Sequence, residues 1–218
     1  MKVEVWSDFV CPFCYIGERR LEAAIEKLSL QGAVEVEFKS FELDPNHPAY
    51  SGMSIHEALA SKYGMSVEQA KAANRQIGFQ AKEVGLDFDF ERMKIANTRS
   101  AHRIAKLAKA LGREKAFTEN MFAAYFIEGA NLGDKETLLK IAESSGIDVH
   151  EAERVFDDTD AYLNDVRKDE AAARQYGVTS VPYFVIDRKY AISGAQPIET
   201  FVGALQRAWS EANPHNSL

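Results

Sequence analysis

The stretch VWSDFVCPFCYIGERR, residues 5–20, contains both cysteines of this 218-residue chain, Cys11 and Cys14. It continues the alternating segment KVEVW (2–6), and apolar residues at helical spacing follow the cysteines. Since alternation is typical of a strand and a period of three to four residues is typical of a helix, the cysteines are predicted to lie where a strand leads into a helix. Alternation returns in VEVEFKSF (34–41), so the region predicts a β-α-β unit with parallel strands.

The end of the chain returns to strand-like patterns. SVPYFVID (180–187) and KYAISG (189–194) predict two strands joined by a tight turn. PIETFVGALQRAW (197–209) then predicts a closing helix, with Pro197 in its first turn. The two ends of the chain therefore predict one layered α/β structure, built from β-α-β and β-β-α.

The segment between these ends is helical in pattern almost throughout. Two sites in it, SIHE (54–57) and SVEQ (66–69), match the Ser-x-x-Glu/Gln capping pattern that begins helices. We therefore predict a discontinuous α/β domain formed by residues 1–45 and 177–218, with an all-helical insertion domain at 46–176.

Composition and charge disfavour several classes of function. Hydrophobic residues make up 46% of the chain, enough to bury a core without a metal or disulfide staple. The net charge of −7 argues against nucleic-acid and anionic-membrane binding, because both need a basic face. No apolar run approaches the roughly 20 residues of a membrane span, and the first residues do not resemble a secretory leader. We expect a cytoplasmic protein, monomeric or homodimeric, with no nucleic-acid or membrane partner.

The Cys-x-x-Cys spacing has a physical use at the start of a helix. Cys11 is predicted to lie at the helix N-terminus, where free backbone N–H groups and the positive end of the helix dipole stabilise a thiolate. The thiolate is the form of cysteine that attacks disulfides. Pro12 suits the first helical position, and Cys14, one turn further on, is close enough to attack a mixed disulfide at Cys11.

Other interpretations of the cysteine pair have to be weighed. Chance rarely places the only two cysteines of a chain three residues apart. A structural zinc ion needs four ligands, and the chain has no second pair at ligand spacing. Its histidines are scattered: His47, His56, His102, His150 and His215. A structural disulfide is disfavoured in a cytoplasmic protein and would close a very small loop. The favoured interpretation is a redox dithiol, with no bound metal and no bound cofactor.

Pro182, in the string VTSVPYF (178–184), stands directly before an apolar strand. If its peptide bond is cis, the backbone of Val181 faces the helix N-terminus that carries Cys11. The N–H and C=O of Val181 are then free to pair with a substrate segment in strand fashion. A trans proline at a strand entry is the alternative, and without the cysteine motif it would be the favoured one.

Together these strings resemble the DsbA-like branch of the thioredoxin superfamily. The longer strings VWSDFVCPFCYIG, NTRSAHRIAKLA, GVTSVPYFVID and SGAQP are similar to FrnE-type cytoplasmic disulfide oxidoreductases. The resemblance covers essentially the whole chain and implies a thioredoxin-like fold and thiol–disulfide exchange. It also implies that Cys11 is the nucleophile, Cys14 the resolving thiol and Pro182 a cis-proline that faces them.

The chain departs from that family near the cysteines. Thioredoxin-like proteins often have a buried acid six residues before the first cysteine, where it helps to move a proton, but here this residue is Val5. Asp8 is the nearest acid, and we hypothesise that it or a water molecule takes the role; a solvated loop or capping acid is the alternative. Phe13 replaces the histidine of the strongly oxidising Pro-His proteins, so we expect a less oxidising couple.

Disulfide-containing proteins or peptides are the expected substrates, with glutathione as a candidate co-substrate. Six aromatic residues are candidates for an apolar surface around the thiols that binds an unfolded or peptide substrate: Phe9, Phe13, Tyr15, Phe41, Tyr183 and Phe184. Core packing is the alternative and is expected for Phe184, whereas Phe13, between the cysteines, is expected to be exposed. Kappa-class glutathione transferases and 2-hydroxychromene-2-carboxylate isomerases share this thioredoxin-like architecture, so a glutathione-dependent activity is the alternative function. In that case Ser193 and Gln196 are expected to contact glutathione. Capping of their own loop is the competing role for these two residues. A non-enzymatic chaperone or scaffold is a third interpretation.

Overall fold

The computed structural model describes residues 1–48 and 50–214, and it confirms a mixed α/β fold. The strands are β1 (Lys2–Ser7), β2 (Glu35–Ser40), β3 (Tyr50–Ser54), β4 (Lys94–Ala96), β5 (Tyr183–Ile186) and β6 (Tyr190–Ser193). The helices are α1 (Pro12–Lys27), α2 (Ile55–Tyr63), α3 (Val67–Glu83), α4 (Arg99–Ala110), α5 (Glu114–Phe126), α6 (Lys135–Ser144), α7 (Val149–Asp157), α8 (Leu163–Gln175) and α9 (Ile198–Ala212).

A four-stranded sheet joins the two ends of the chain in the order β2-β1-β5-β6. β1 and β2 are parallel, with Ser7 opposite Ser40, so the predicted β-α-β unit is confirmed. β5 runs antiparallel to both β1 and β6, which confirms the predicted hairpin. The turn of this hairpin holds Asp187 and Arg188 at φ values of 47° and 57°, the backbone twist that suits a tight hairpin connection.

The two faces of this sheet are buried against different partners. Val3 and Val5 point to one face and pack with α1 and α9, since alternate residues of a strand share a face. The buried members of this core are Val3, Val5, Leu21, Ala24, Leu30, Phe184, Ile186, Ile192, Phe201, Leu205 and Ala208. Trp6 points to the other face and packs with Ala173 and Val178, which lie in and after α8.

Charged side chains lie on the same sheet face as Trp6. Lys39 Nζ is 2.7 Å from Glu37 Oε1, 3.3 Å from Glu4 Oε1 and 3.7 Å from Asp169 Oδ1. We call these four residues the Lys39 cluster. Each of their side chains is 16% exposed or less, so Lys39 is the shared counter-charge of three carboxylates that are largely withdrawn from water.

The chain divides into two compact units, one formed by residues 1–41 and 169–218 and the other by 42–168. Both junctions lie earlier in the chain than the sequence predicted, and the second falls inside α8. The reason is that the second half of this helix belongs with the sheet: the backbone oxygen of Asp169 accepts a hydrogen bond from Trp6 Nε1 at 2.9 Å.

Two details of the sequence prediction are wrong. The unit at 42–168 is not all helical, because β3 and β4 form an antiparallel pair. β3 contains Gly52 at a φ of 71° and β4 has three residues, so neither shows enough alternation to be predicted as a strand. Pro197 is the N-cap of α9, with an extended ψ of 153°, rather than a residue of its first turn.

The helices of the 42–168 unit are held at their ends by specific hydrogen bonds. Ser54 and Ser66 begin α2 and α3 with complete capping boxes, as the sequence predicted. Arg103 of α4 donates to the carbonyl oxygens of Val155 at 2.6 Å and Phe156 at 3.2 Å, near the C-terminal end of α7. In the part of the chain that the structure describes, no helix has the length and apolar character to cross a membrane.

Candidate active site

Cys11 is the N-cap residue of α1, with φ −93° and ψ 111°, and Pro12 follows it in the first turn, where the sequence predicted it. Cys14 lies one turn further along the helix. Both cysteines are free thiols, and they are only 5% and 2% exposed. Because a helix N-terminus stabilises negative charge, Cys11 is the cysteine placed to act as a thiolate nucleophile.

The facing half of the site is the segment directly before β5. The Val181–Pro182 peptide bond is cis, and the Cys11 thiol donates to the carbonyl oxygen of Val181, with a sulfur–oxygen distance of 3.6 Å. Pro182 also approaches α1 closely: a Cβ added at Gly17 would lie 3.1 Å from Pro182 Cγ. The structure thus brings Cys11, Val181 and Pro182 together, although 170 residues separate Cys11 from Val181 in the sequence.

Cys14 has a polar environment of its own. Burial raises the pKa of the Cys14 thiol well above its ordinary value, and a hydrogen bond with Cys11 and the charge of that neighbour raise it further. Two groups at the end of β1 oppose this: the Ser7 side chain and the Asp8 backbone make hydrogen bonds that lower the pKa of Cys14. Burial therefore favours the neutral thiol form of Cys14.

Asp8 contributes to the site through its backbone. Its carbonyl oxygen accepts a hydrogen bond from the Cys11 N–H at 3.1 Å, which closes the turn between β1 and α1. The residue is 1% exposed, so the alternative of a solvated loop acid is wrong. A proton-transfer role for the Asp8 carboxyl stays a prediction.

The loop after β6 adjoins the proline. The Gly194 N–H donates to the carbonyl oxygen of Pro182 at 2.8 Å, and Arg20 of α1 donates to the carbonyl oxygen of Ala195 at 2.5 Å. Gln196 Nε2 donates to the backbone oxygen of Ser193 at 2.8 Å, so this side chain closes its own loop. This hydrogen bond fits the loop-capping role of Gln196. Contact of Ser193 and Gln196 with glutathione stays a prediction.

The aromatic residues around the cysteines fall into two groups. Phe9, Tyr15 and Phe184 are buried, at 5%, 1% and 0% exposure, so these three belong to the core and not to a substrate surface. Phe13 lies between the two cysteines on the first turn of α1 and is half-buried, not exposed as expected. Phe41 and Tyr183 are also half-buried and pack against the core on the Trp6 side of the sheet. Val5 is 2% exposed and packs in the sheet core, so the position six residues before Cys11 is apolar.

Within residues 1–48 and 50–214, no group of three or more histidine, cysteine, aspartate or glutamate side chains has the geometry to hold a metal ion. His56 instead accepts a hydrogen bond at Nδ1 from Asn74 Nδ2 at 3.0 Å. His215 lies outside the described residues.

Sequence reasoning missed two residues of the site, Ser7 and Gly17. Ser7 is a hydroxyl residue at the end of a buried strand, directly before the cysteine segment, and that position was the available signal. Gly17 interrupts the apolar face of α1 three residues after Cys14. A helical glycine costs stability unless something packs close to it, which was the signal in that case.

One family model and three solved structures are similar to this chain. The model of the DSBA-like thioredoxin domain matches residues 2–206. A protein of Streptomyces coelicolor, described as a "probable DsbA oxidoreductase", is 40% identical; the match covers 100% of this chain and 94% of that one, with a TM-score of 0.93.

Two further solved structures share the fold at low identity. A 2-hydroxychromene-2-carboxylate isomerase is 18% identical over 100% of both chains, with a TM-score of 0.72. The cytosolic disulfide reductase DsbM of Pseudomonas aeruginosa, solved with GSH, is 16% identical over 96% of this chain and 99% of that one, with a TM-score of 0.66.

Proposed function

The chain belongs to the DSBA-like thioredoxin domain family, and on that premise we propose that it is a thiol–disulfide oxidoreductase whose redox pair is Cys11 and Cys14. The observation that carries the proposal is the position of the Cys11 sulfur, at the N-terminus of α1 and 3.6 Å from the carbonyl oxygen of Val181. A second thiol, one helical turn away and 2% exposed, completes the pair.

The reaction proceeds in two exchanges. The Cys11 thiolate attacks one sulfur of a substrate disulfide, forms a mixed disulfide and releases the first substrate thiolate. Cys14 then loses its proton to water and attacks the Cys11 sulfur, which forms the Cys11–Cys14 disulfide and releases the second thiolate. Two electrons pass from the protein dithiol to the substrate disulfide, and a thiol reductant such as glutathione returns them.

Features of the site support a protein or peptide disulfide as substrate, in a reducing compartment. The Val181 carbonyl lies beside the reacting sulfur, where an extended peptide can pair with it. Phe13, between the cysteines, replaces an imidazolium that would stabilise the thiolate, so the proposed couple is less oxidising than a Pro-His couple. A cytosol with a glutathione reduction potential of about −250 mV would keep such a pair mostly reduced. The cytoplasmic FrnE-type branch is the proposed place of the chain in its family.

Glutathione-dependent transfer or isomerisation is the second candidate function. The fold shared with 2-hydroxychromene-2-carboxylate isomerase favours it, and so does the fold shared with a disulfide reductase solved with GSH. Two thiols one turn apart favour redox exchange, because a transferase needs no resolving cysteine. In both cases glutathione is the proposed small-molecule partner.

Matched single-cysteine variants test the proposal. We expect Cys11→Ser to abolish the reduction of insulin disulfides, and Cys14→Ser to accumulate a mixed disulfide at Cys11 that intact-protein mass spectrometry detects. Cys14→Ser that keeps full glutathione-transfer turnover would favour the second candidate. If no Cys11–Cys14 disulfide forms in any glutathione buffer, the proposed function is wrong. A full cellular role for Cys11→Ser would support a chaperone or scaffold instead.

A further inference from the structure

The loop that follows β6, residues 193–196, is tied to the proline of the site by a backbone hydrogen bond. We call it the Gly194 loop. Its first residue, Ser193, is the last residue of β6 and lies opposite Tyr183 of β5. The next residue, Gly194, donates its N–H to the carbonyl oxygen of Pro182 at 2.8 Å. The hairpin ladder therefore continues past the two strands as far as the proline.

Arg20 fastens the same loop to α1. Its Nη1 donates to the carbonyl oxygen of Ala195 at 2.5 Å, and both residues are half-buried. A hydrogen bond from a charged guanidinium is stronger than one between neutral groups. Gln196 braces the loop internally, from its N–H to the Gly194 oxygen at 2.9 Å and from Nε2 to the Ser193 oxygen at 2.8 Å. Arg20 therefore supplies a link that joins this braced loop to the helix.

Arg20 lies on the face of α1 that meets the site. It follows Gly17 by three residues, so the two positions are neighbours on the helix surface. Gly17 packs against Pro182, since a Cβ added there would lie 3.1 Å from Pro182 Cγ. At the N-terminus of the helix, the Cys11 thiol donates to the Val181 carbonyl oxygen at 3.6 Å. The helix thus meets the segment before β5 at two points, and Arg20 holds the loop that is paired with that segment.

We propose that Arg20 is a positioning residue for substrate binding: it holds the Gly194 loop, and the loop holds the backbone of Val181 and Pro182 where an extended substrate pairs. The proposal rests on the proposed function, because it concerns the binding of a peptide disulfide at that same site. A peptide that pairs in strand fashion needs this backbone in one place. If the backbone is in that place for only a fraction of the time, the apparent affinity for the peptide falls by that fraction.

A small disulfide does not need this pairing. It needs only the Cys11 sulfur, and α1 itself fixes that residue: Cys11 is the N-cap, and the Cys14 N–H donates to the Cys11 carbonyl oxygen at 3.0 Å. Removal of Arg20 leaves these features in place and leaves Gly17 packed against Pro182. We therefore expect Arg20 to matter for extended substrates and not for small ones.

Two probes with the same leaving group separate these cases on the full-length protein. One is Ellman's reagent, and the other is a short unstructured peptide whose single cysteine forms a mixed disulfide with thionitrobenzoate. With either probe the Cys11 thiolate attacks one sulfur and forms a new disulfide bond to it. The old disulfide bond breaks, and its electron pair leaves with thionitrobenzoate. The initial release of this chromophore, measured against probe concentration, gives the half-saturating concentration and the maximum rate.

We expect Arg20→Met to raise the half-saturating concentration of the peptide about tenfold, because a hydrogen bond to a charged group shifts the equilibrium between held and released loop by roughly that factor. The maximum rate with the peptide and the rate constant with Ellman's reagent should stay within about twofold of the native values. Arg20→Lys keeps a charged donor and should recover part of the affinity.

Amide hydrogen exchange reports on the loop without any disulfide. The Gly194 N–H is protected by its hydrogen bond to Pro182, so its exchange in Arg20→Met should be about tenfold faster than in the native chain. Arg19→Met is the matched control. Arg19 donates to Glu22 Oε2 at 2.9 Å and to the Tyr15 hydroxyl at 3.2 Å, both within α1. Its replacement should leave both probes and the exchange at Gly194 unchanged.

The two proposals fail in different ways. If the native protein releases thionitrobenzoate from neither probe, the proposed function itself is wrong. An unchanged half-saturating concentration of the peptide in Arg20→Met, or unchanged exchange at Gly194, would refute only the role of Arg20. Equal slowing with the two probes would also refute it, because that result places the effect on Cys11. The same change in Arg19→Met would refute it as well, since any lost positive charge on α1 would then suffice.

Discussion

Gly17 is predicted to be required by close packing against the site rather than by backbone freedom. It lies inside α1, where an alanine would ordinarily stabilise a helix by about 0.5–1 kcal/mol. A Cβ at this position would lie 3.0 Å from Phe184 Cζ and 3.1 Å from Pro182 Cγ, closer than ordinary carbon–carbon contact. Phe184 is fully buried, and its ring packs edge-on against Phe201 at a centroid distance of 4.9 Å, so it has little room to retreat.

Gly203 in α9 provides a matched comparison. It is also a glycine inside a helix, but a Cβ there would meet no atom within 4 Å. The gain in helix propensity is the same in both variants and cancels in their difference. Overpacking of a core costs about 1–3 kcal/mol, so Gly17→Ala should be less stable than Gly203→Ala by that amount.

Urea unfolding of the two variants under reducing conditions measures this difference. We expect Gly203→Ala to be about 0.5–1 kcal/mol more stable than the native chain, and Gly17→Ala to be up to about 2 kcal/mol less stable. Because Pro182 must move away from α1, Gly17→Ala should also slow the attack of Cys11 on Ellman's reagent about threefold or more, measured as the initial release of thionitrobenzoate. If Gly17→Ala is as stable as Gly203→Ala, the side chains around it accommodate a methyl group and the packing argument is wrong.

Three further substitutions test the surroundings of the site and the second unit. Lys39→Met should lower the free energy of unfolding by about 3–5 kcal/mol, because Glu4 and Asp169 lose their shared counter-charge. Glu37 keeps its ion pair with Lys2 at 2.5 Å. A smaller loss in Lys39→Arg would show that charge is the cause. Ser54→Ala should cost about 1 kcal/mol at neutral pH through loss of the α2 cap. The hydrogen bonds that Ser54 makes to Glu57 lower the pKa of the Glu57 carboxyl from its ordinary value of 4.5. The stability that they contribute is therefore present above pH 4.5 and is lost as the pH falls through the lowered pKa. If the loss of stability in Ser54→Ala is the same in acid as at neutral pH, this explanation is wrong. Arg103→Met should lower the free energy of unfolding by about 3 kcal/mol, because several carbonyl oxygens at the end of α7 lose their buried donor. Thermal or urea unfolding measures this loss. An unchanged unfolding midpoint would show that water replaces the guanidinium.

The sequence predicted the α/β unit well because its patterns are local. Alternation in β1 and β2, the helical period after Cys14 and the Ser-x-x-Glu/Gln caps each follow from a few adjacent residues. β3 and β4 were missed because they are short, and the register between them shifts, so no local pattern marks them. The junction inside α8 was missed because no local pattern marks it. Long-range contacts, such as the hydrogen bond from Trp6 to Asp169, show that the second half of the helix belongs with the sheet.

The candidate site was predictable where a residue type has few uses and unpredictable where it has many. Cysteines at this spacing are a specific signal, and the proline before β5 gains meaning only beside them. Cys11, Cys14 and Pro182 were selected as candidates on that ground, and the structure brings Cys11 and the Val181–Pro182 segment together. Serine is common and adopts many roles, so Ser7 could not be selected without knowing that the end of β1 meets the first turn of α1. The Lys39 cluster was missed for a related reason: charged residues in a strand pattern are ordinarily assigned to a solvated face.

The register of the sheet explains why the two halves of the site meet. Trp6 lies opposite Tyr183 in the antiparallel pair of β1 and β5, so the residues after Trp6 and those before Tyr183 leave the sheet side by side. The first set leads through Ser7 to Cys11, and the second consists of Val181 and Pro182. A slip of one residue would move the strand's side chains to opposite faces, placing Phe184 outside the core in which it is fully buried. The burial of Phe184 therefore fixes the register, and the register sets the carbonyl of Val181 beside the Cys11 sulfur.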